Sequence, residues 1–169
     1  MKKFSVKKLA LAGMFCALCV VGSVFSFPMF GSKCAPVQHM VNVLCAVLLG
    51  PWWGGAAAGI GSMLTDLLNG YAHYAPGTFV IKGCMAIAAA LLAKAMGRKA
   101  GGYVVSGIVA EVIMVAGYFG YAALLLGKGI GAAASIPGNL VQAVMGLAIG
   151  LILFFLLKRS KALDKLGLQ

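Results

Sequence analysis

Acidic side chains are almost missing from this chain: Asp66, Glu111 and Asp164 are the only three among 169 residues. Charged residues of both signs make up 10% of the sequence against a hydrophobic share of 62%, whereas a soluble domain carries roughly a quarter charged residues. That shortage excludes an ordinary water-facing surface, and the mean hydropathy of +1.01 makes the bilayer the expected solvent. Histidine is scarce too. His39 has no second histidine at helical spacing and His73 sits in a distant loop, so no metal-ligand pattern is present. A phosphate-binding G-x-x-x-x-G-K-[ST] motif is also absent, because Gly127-Lys128 lacks both the upstream glycine in register and a following Ser or Thr. Any ATP hydrolysis coupled to this chain then belongs to another subunit.

The five cysteines, Cys16, Cys19, Cys34, Cys45 and Cys84, fall mostly inside apolar runs. Cys16 and Cys19 form a C-x-x-C without a neighbouring His or carboxylate, so they read as small packing residues rather than as ligands or a disulfide framework. The start, MKKFSVKKLALAG, resembles the charged region of a signal peptide. Its apolar run outlasts the usual signal length and no A-x-A site follows, so it is expected to remain as the first helix. Lys33 directly before Cys34 argues against a lipoprotein cleavage site.

What the chain has in abundance is apolar runs: residues 9–27, 37–49, 55–68, 79–95, 103–126 and 132–157, separated by Gly, Pro or charge. They predict an all-α membrane protein of six transmembrane helices, one domain over residues 1–169. The second and third runs fall short of the roughly 17 to 25 residues a perpendicular crossing needs, so they are expected to be short or tilted about Gly50-Pro51-Trp52-Trp53. Lys and Arg accumulate on the cytoplasmic side of membranes. An even number of spans with both termini cytoplasmic gathers every basic residue there except Lys33, Lys82 and Lys128. The net charge of +11 then follows from topology and from attraction to anionic lipid, not from nucleic-acid binding.

In so apolar a chain each polar cluster needs a reason. Asp66 and Lys82 flank the aromatic loop Gly70-Tyr71-Ala72-His73-Tyr74-Ala75-Pro76-Gly77 and are predicted at similar depth, where pairing offsets the cost of an intramembrane charge. They are expected to brace each other, or one of them to touch a ligand. The loop either covers a site or forms an interfacial aromatic belt. Glu111, Met114, Tyr118 and Tyr121 share one helical face, giving a carboxylate below phenols: a wall for a flat heterocycle, or a satisfied buried Glu beside core aromatics. Asn139 and Gln142 share a face at the mouth of the last helix, Gln38 and Asn42 one at the start of the second, with His39 between. Amides in such places read ligand donors and acceptors, although helix capping also accounts for Asn139. The candidate ligand contacts are therefore Glu111, Tyr118, Asn139 and Gln142, with Gln38, His39, Asn42 and Tyr74 outside them. Ala12, Gly13, Cys16 and Ala17 form a small-residue strip suited to close helix approach, within the protein or onto a partner. Gly146 and Gly150 form a second strip, expected to pack internally.

Residues 65–150, through DLLNGYAHYAPGTFVIKG, AEVIMVAGYFGYAAL and IPGNLVQAVMGLAIG, resemble the broad riboflavin-type family of substrate-binding S components of energy-coupling factor (ECF) vitamin importers. Residues 33–54, KCAPVQHMVNVLCAVLLGPWWG, are similar to the ThiW group of S components, thought to import the thiazole precursor of thiamine; the third and fourth helices depart from that group's pattern. The resemblance implies a six-helix subunit that takes a vitamin or precursor from outside. Its expected substrate is a thiamine precursor of thiazole or hydroxymethylpyrimidine type, with riboflavin or pyridoxine as alternatives. No cofactor is implied. The implied partners are a transmembrane T component, met through the strip at Ala12, Gly13, Cys16 and Ala17, and two cytoplasmic ATPases. A small intramembrane enzyme using Asp66, His73 or Glu111 as acid or base is the reading of another class, without a nucleophile and base at useful spacing to support it. A purely structural membrane subunit is a third.

Overall fold

The structure, a computed structural model, describes residues 6–29, 32–97 and 99–160; Lys2, Lys3, Arg98, Lys161 and Lys165 of the expected cytoplasmic set lie outside the described residues. Six α-helices carry the fold: α1 Val6–Val24, α2 Pro36–Leu49, α3 Pro51–Leu68, α4 Ala75–Ala95, α5 Ala100–Gly120 and α6 Ile136–Arg159. Pro36, Pro51, Pro76 and Pro137 lie in the first turns of α2, α3, α4 and α6, where a missing N–H breaks no hydrogen bond and the fixed φ suits a helix. Proline therefore punctuates the apolar sequence into separate helices.

Four helical stretches are long and apolar enough to cross a membrane: α1, α4, residues 100–125 and residues 129–159. The short α2 folds back onto α3 at Gly50, which has φ +79°, a conformation that favours glycine. A Cβ on Gly54 would lie 2.4 Å from the Cys45 carbonyl oxygen, so the two backbones meet with no room for a side chain. The two helices are separate, as the sequence indicates, but the break is Gly50 alone: Pro51, Trp52 and Trp53, expected as a turn, form the first turn of α3.

Two elements are additions to the expected all-α picture. Residues Phe27–Met29 (β1) and Ser32–Cys34 (β2) form an antiparallel hairpin with Phe27 opposite Cys34. Pro28 ends any helical continuation and holds Phe27 extended, so the run predicted as helix to Phe27 stops at Val24 instead. Beyond α5, residues Tyr121–Leu125 form a π-helical turn and Gly129–Ser135 a 3-10 segment. The predicted start of the last helix at Ala132 thus falls within that 3-10 segment.

Helix α3 packs between α1 and α4, α2 touches α1, α3, α4 and α6, and α5 contacts α4 and α6. The interior is built largely from small residues such as Ala57, Ala58, Ala86 and Ala89, which bring helices close where lipid supplies no hydrophobic drive. Leu18 and Val21 on α1, Ile108 and Val112 on α5, and Val144, Ile152 and Leu156 on α6 are exposed. Large apolar side chains exposed along three helices suit hydrocarbon as the surrounding medium.

The strip on α1 divides. Ala12 is buried and Cys16 half-buried, with the Cys16 thiol 3.4 Å from the Ala57 carbonyl, whereas Gly13 and Ala17 are exposed. Four residues at such spacing cannot all share one outward face, because the i, i+4 pairs 12/16 and 13/17 lie about 100° apart. Gly146 and Gly150 on α6 pack inward as expected, against His39 and Val43.

Candidate functional site

The C-terminal ends of α1, α3 and α5 and the N-terminal starts of α2, α4 and α6 converge at one end of the bundle around a cavity of about 310 Å³. Lys7, Lys8, Lys94, Lys99, Lys158 and Arg159 sit at the other end, by their positions at the opposite helix termini. Alternating helix direction thus collects polar residues from distant parts of the chain into a single pocket, Lys82 and Lys128 among them, and sends these six basic residues away from it.

Lys82 on α4 lines the pocket although its residue is only 3% exposed. Its Nζ lies 2.8 Å from His39 Nδ1 and 3.0 Å from Met114 Sδ. His39 is fully buried, and its Nε2 lies 2.7 and 2.8 Å from the two carboxylate oxygens of Glu111. A carboxylate only accepts, so Nε2–H donates to Glu111, and the Nδ1 lone pair receives an ammonium N–H from Lys82. Cation, neutral imidazole and anion form one chain without net charge, which is how a low-dielectric interior tolerates ionised groups. Glycine makes the space: a Cβ on Gly146 would stand 2.5 Å from His39 Cδ2.

On the neighbouring wall, Tyr118 Oη donates to Thr78 Oγ1 at 3.1 Å, and Thr78 donates to Asp66 Oδ2. Gln142 Oε1 accepts from the Ala35 backbone N–H at 2.8 Å, which fixes the amide and ties β2's end to α6. Over the mouth, Tyr121 Oη donates to the His73 carbonyl at 2.9 Å. Lys128 Nζ donates to Tyr74 Oη at 2.9 Å and sits 5.2 Å from that ring's centroid. The His73 and Tyr74 rings are 4.8 Å apart, so the loop between α3 and α4 is an aromatic cover clasped to the segment before α6. Among the described residues every buried side-chain N or O has a hydrogen-bond partner, as expected where an unsatisfied group would be costly.

Of the expected ligand contacts, Gln38, Tyr74, Tyr118, Asn139 and Gln142 line the cavity. Three do not. Glu111 and His39 lie behind Lys82, and Asn42 is fully buried between helices, donating to Ser62 at 3.0 Å and accepting from the Cys19 thiol at 3.1 Å. The face shared by Gln38 and Asn42 therefore splits by depth: the residue one turn further into α2 is covered by α1 and α3. Asp66 and Lys82 both line the pocket; Lys82's closest partners come from α2 and α5 and the Asp66 carboxylate takes the Thr78 hydroxyl, while the Asp66 charge also acts on Lys82 across the pocket. Asn139 lies one turn inside α6, whose N-cap is Ser135, and capping does not account for it.

A family model described as the ECF-type riboflavin transporter, S component, matches residues 3–159. The chain belongs to this family. It is a substrate-binding subunit of a vitamin transporter and not an enzyme, which sets aside the intramembrane-enzyme reading of Asp66, His73 and Glu111. A protein of Pyrococcus woesei, described as an uncharacterized protein in the gap 3'region, is 42% identical over 120 residues, covering 69% of this chain and 77% of its own. S components work with a T component and ATPase subunits, consistent with a chain that has no phosphate-binding motif of its own.

Within this S component, sequence reasoning missed Thr78, Asn69 and Lys128, all of which line the pocket. Thr78 sits one turn before Lys82 on α4, a spacing that places both on one face, so that signal was present. Lys128 carried none beyond being a basic residue away from the cytoplasmic set.

Proposed function

We propose that this S component captures a small heterocyclic vitamin precursor, of the thiamine-precursor class with a thiazole or hydroxymethylpyrimidine ring, from the outer face of the cell membrane. In this reading the chain spans the membrane with six helices, both termini are cytoplasmic, and a T component with two ATPases drives release inward. The cavity carries the proposal. Its volume of about 310 Å³ stands at the lower end of the roughly 300 to 1,000 Å³ found for small-molecule sites, which favours a single substituted ring. The basic residues at the far end of the bundle support an outward-facing pocket, and the likeness of residues 33–54 to the ThiW group supports the precursor class. Tyr74 and Tyr118 supply ring contacts, Gln38, Asn139 and Gln142 orientation.

Riboflavin is the second reading, favoured by the description of the matching family. A fused flavin with its ribityl chain demands a larger enclosure than a single ring. The test is equilibrium binding to the protein purified in detergent, across hydroxyethylthiazole, hydroxymethylpyrimidine, pyridoxine and riboflavin, together with mass spectrometry of any co-purifying small molecule. Submicromolar binding of a precursor supports the proposal; a yellow, flavin-loaded preparation selects riboflavin, and no binding to any of the four overturns both.

A further inference from the structure

Three polar side chains of the pocket, Lys82, Gln142 and Tyr118, are committed by their own partners to act as donor or as acceptor. Lys82 presents an ammonium with three N–H donors and no acceptor. His39 Nδ1 and Met114 Sδ occupy two of them, and the remaining donor belongs to a side chain that lines the cavity. Gln142 has its carbonyl oxygen held by Ala35 N–H, while its Nε2 makes only a long 3.8 Å contact to Met114 Sδ. Toward the pocket it is therefore a donor. The opposite holds on the Asp66 side. Because the carboxylate can only accept, Thr78 donates to it and Tyr118 donates to Thr78, leaving the Tyr118 oxygen with lone pairs alone to offer.

We infer that Lys82 is a ligand-binding residue, and that it and Gln142 read acceptor atoms on the substrate ring while Tyr118 reads an N–H donor. His39 and Glu111 are positioning residues that hold the ammonium at the pocket floor. This inference rests on the S component reading above and narrows it. An aminopyrimidine offers ring-nitrogen acceptors beside an exocyclic amine on one edge. A thiazole ring carries one acceptor nitrogen and no N–H, and leaves the Tyr118 side unmatched. The pocket is thus matched to the hydroxymethylpyrimidine type of precursor. Glu111 itself, balanced by Lys82 through the neutral His39, does not balance a cationic ring.

The test compares ligands and variants in detergent-purified protein. Hydroxymethylpyrimidine, its pyridine analogue in which the ring nitrogen next to the amine is replaced by C–H, hydroxyethylthiazole, pyridoxine and riboflavin are titrated into the wild type and Lys82→Met. The wild type is expected to bind the pyrimidine tightest and to lose about 10- to 100-fold on the pyridine analogue, the range for a hydrogen bond to a charged group. Lys82→Met is expected to lose a similar factor on the pyrimidine and to bind the pyrimidine and its analogue alike, a coupling that a merely structural lysine would not produce. Folded Lys82→Met that binds the pyrimidine within threefold of wild type overturns the role of Lys82. If that variant does not fold, the ligand arm decides: an analogue bound by the wild type within threefold of the parent overturns it equally. Tightest binding of any other ring overturns the substrate assignment and leaves the S component reading intact. A wild type that binds none of the five brings down that reading as well.

Discussion

His39 Nε2 on α2 faces both carboxylate oxygens of Glu111 on α5, at 2.7 and 2.8 Å. Seventy-two positions separate the two residues in the chain, and the contact turns an isolated intramembrane carboxylate into one end of a neutralised chain that finishes at Lys82. Removing the anion leaves the ammonium of Lys82 with Asp66 alone as a counter-charge, at a cost of up to about 3–5 kcal/mol for breaking a buried pair. Glu111→Leu is expected to unfold in detergent well below wild type. Glu111→Gln keeps the hydrogen bond to His39 and is expected to insert normally while uptake falls, measured by vitamin-precursor uptake in cells alongside membrane fractionation. Wild-type thermal stability in Glu111→Leu would contradict the chain described.

Gly146 makes a sharper test of the same arrangement, because the substitution touches no charge. With a Cβ 2.5 Å from His39 Cδ2, Gly146→Val must push the imidazole off Lys82 and Glu111. Overpacking of this kind costs roughly 1–3 kcal/mol, and ligand affinity is expected to fall with it. Gly13→Val is the control: nothing lies within 4 Å of its Cβ position, so folding and ligand binding in detergent should match wild type.

Gly13 and Ala17 are also the exposed half of the α1 strip. If the T component docks there, Gly13→Leu retains binding of the precursor by the isolated subunit yet loses co-purification with the T component and loses transport. Intact complex formation in that variant would move the docking surface elsewhere.

The clasp between Lys128 and Tyr74 is exposed to solvent, so its strength is modest. Lys128→Ala or Tyr74→Phe is expected to raise the ligand dissociation rate about two- to tenfold, in line with roughly 0.5–1.5 kcal/mol for one net hydrogen bond, without altering thermal stability. Stopped-flow dissociation measures it. An unchanged rate in both variants would mean that the aromatic loop does not gate the pocket.

Gln142→Ala removes the acceptor for the buried Ala35 N–H as well as a donor to the pocket. A stranded backbone donor costs about 1–3 kcal/mol, so a loss of stability and a loss of uptake are expected together. Gln142→Glu separates them: it keeps the acceptor for Ala35 but offers no N–H to the ligand, and is expected to fold while losing affinity, read by thermal unfolding and titration on one preparation.

Much of the helical order was legible because lipid imposes a simple rule on sequence. Runs of apolar residues had to be helices, since in hydrocarbon every backbone group needs an internal partner, and Pro36, Pro51, Pro76 and Pro137 stand in the first turns of four of the six. The local faces were legible too: Tyr118 with Met114 on α5, Asn139 with Gln142 on α6. The hairpin at Phe27–Met29 and Ser32–Cys34 was not, because it is short and its only advance signal was Pro28 acting on Phe27.

The sequence by itself determined that this is a membrane protein, that its charges must be partnered, and which residues could meet a ligand. Only the tertiary structure decided which of them line the pocket. His39, Asn42 and Glu111 are polar candidates as Gln38, Asn139 and Gln142 are, but helix packing buries the first three behind the pocket and leaves the others lining it. Charge pairing was likewise a choice made in three dimensions. Asp66 and Lys82 are neighbours across one loop and their charges act on each other, yet α2 and α5 add His39 and Glu111 to the surroundings of Lys82, and depth and partner are properties of packed helices, not of spacing along one.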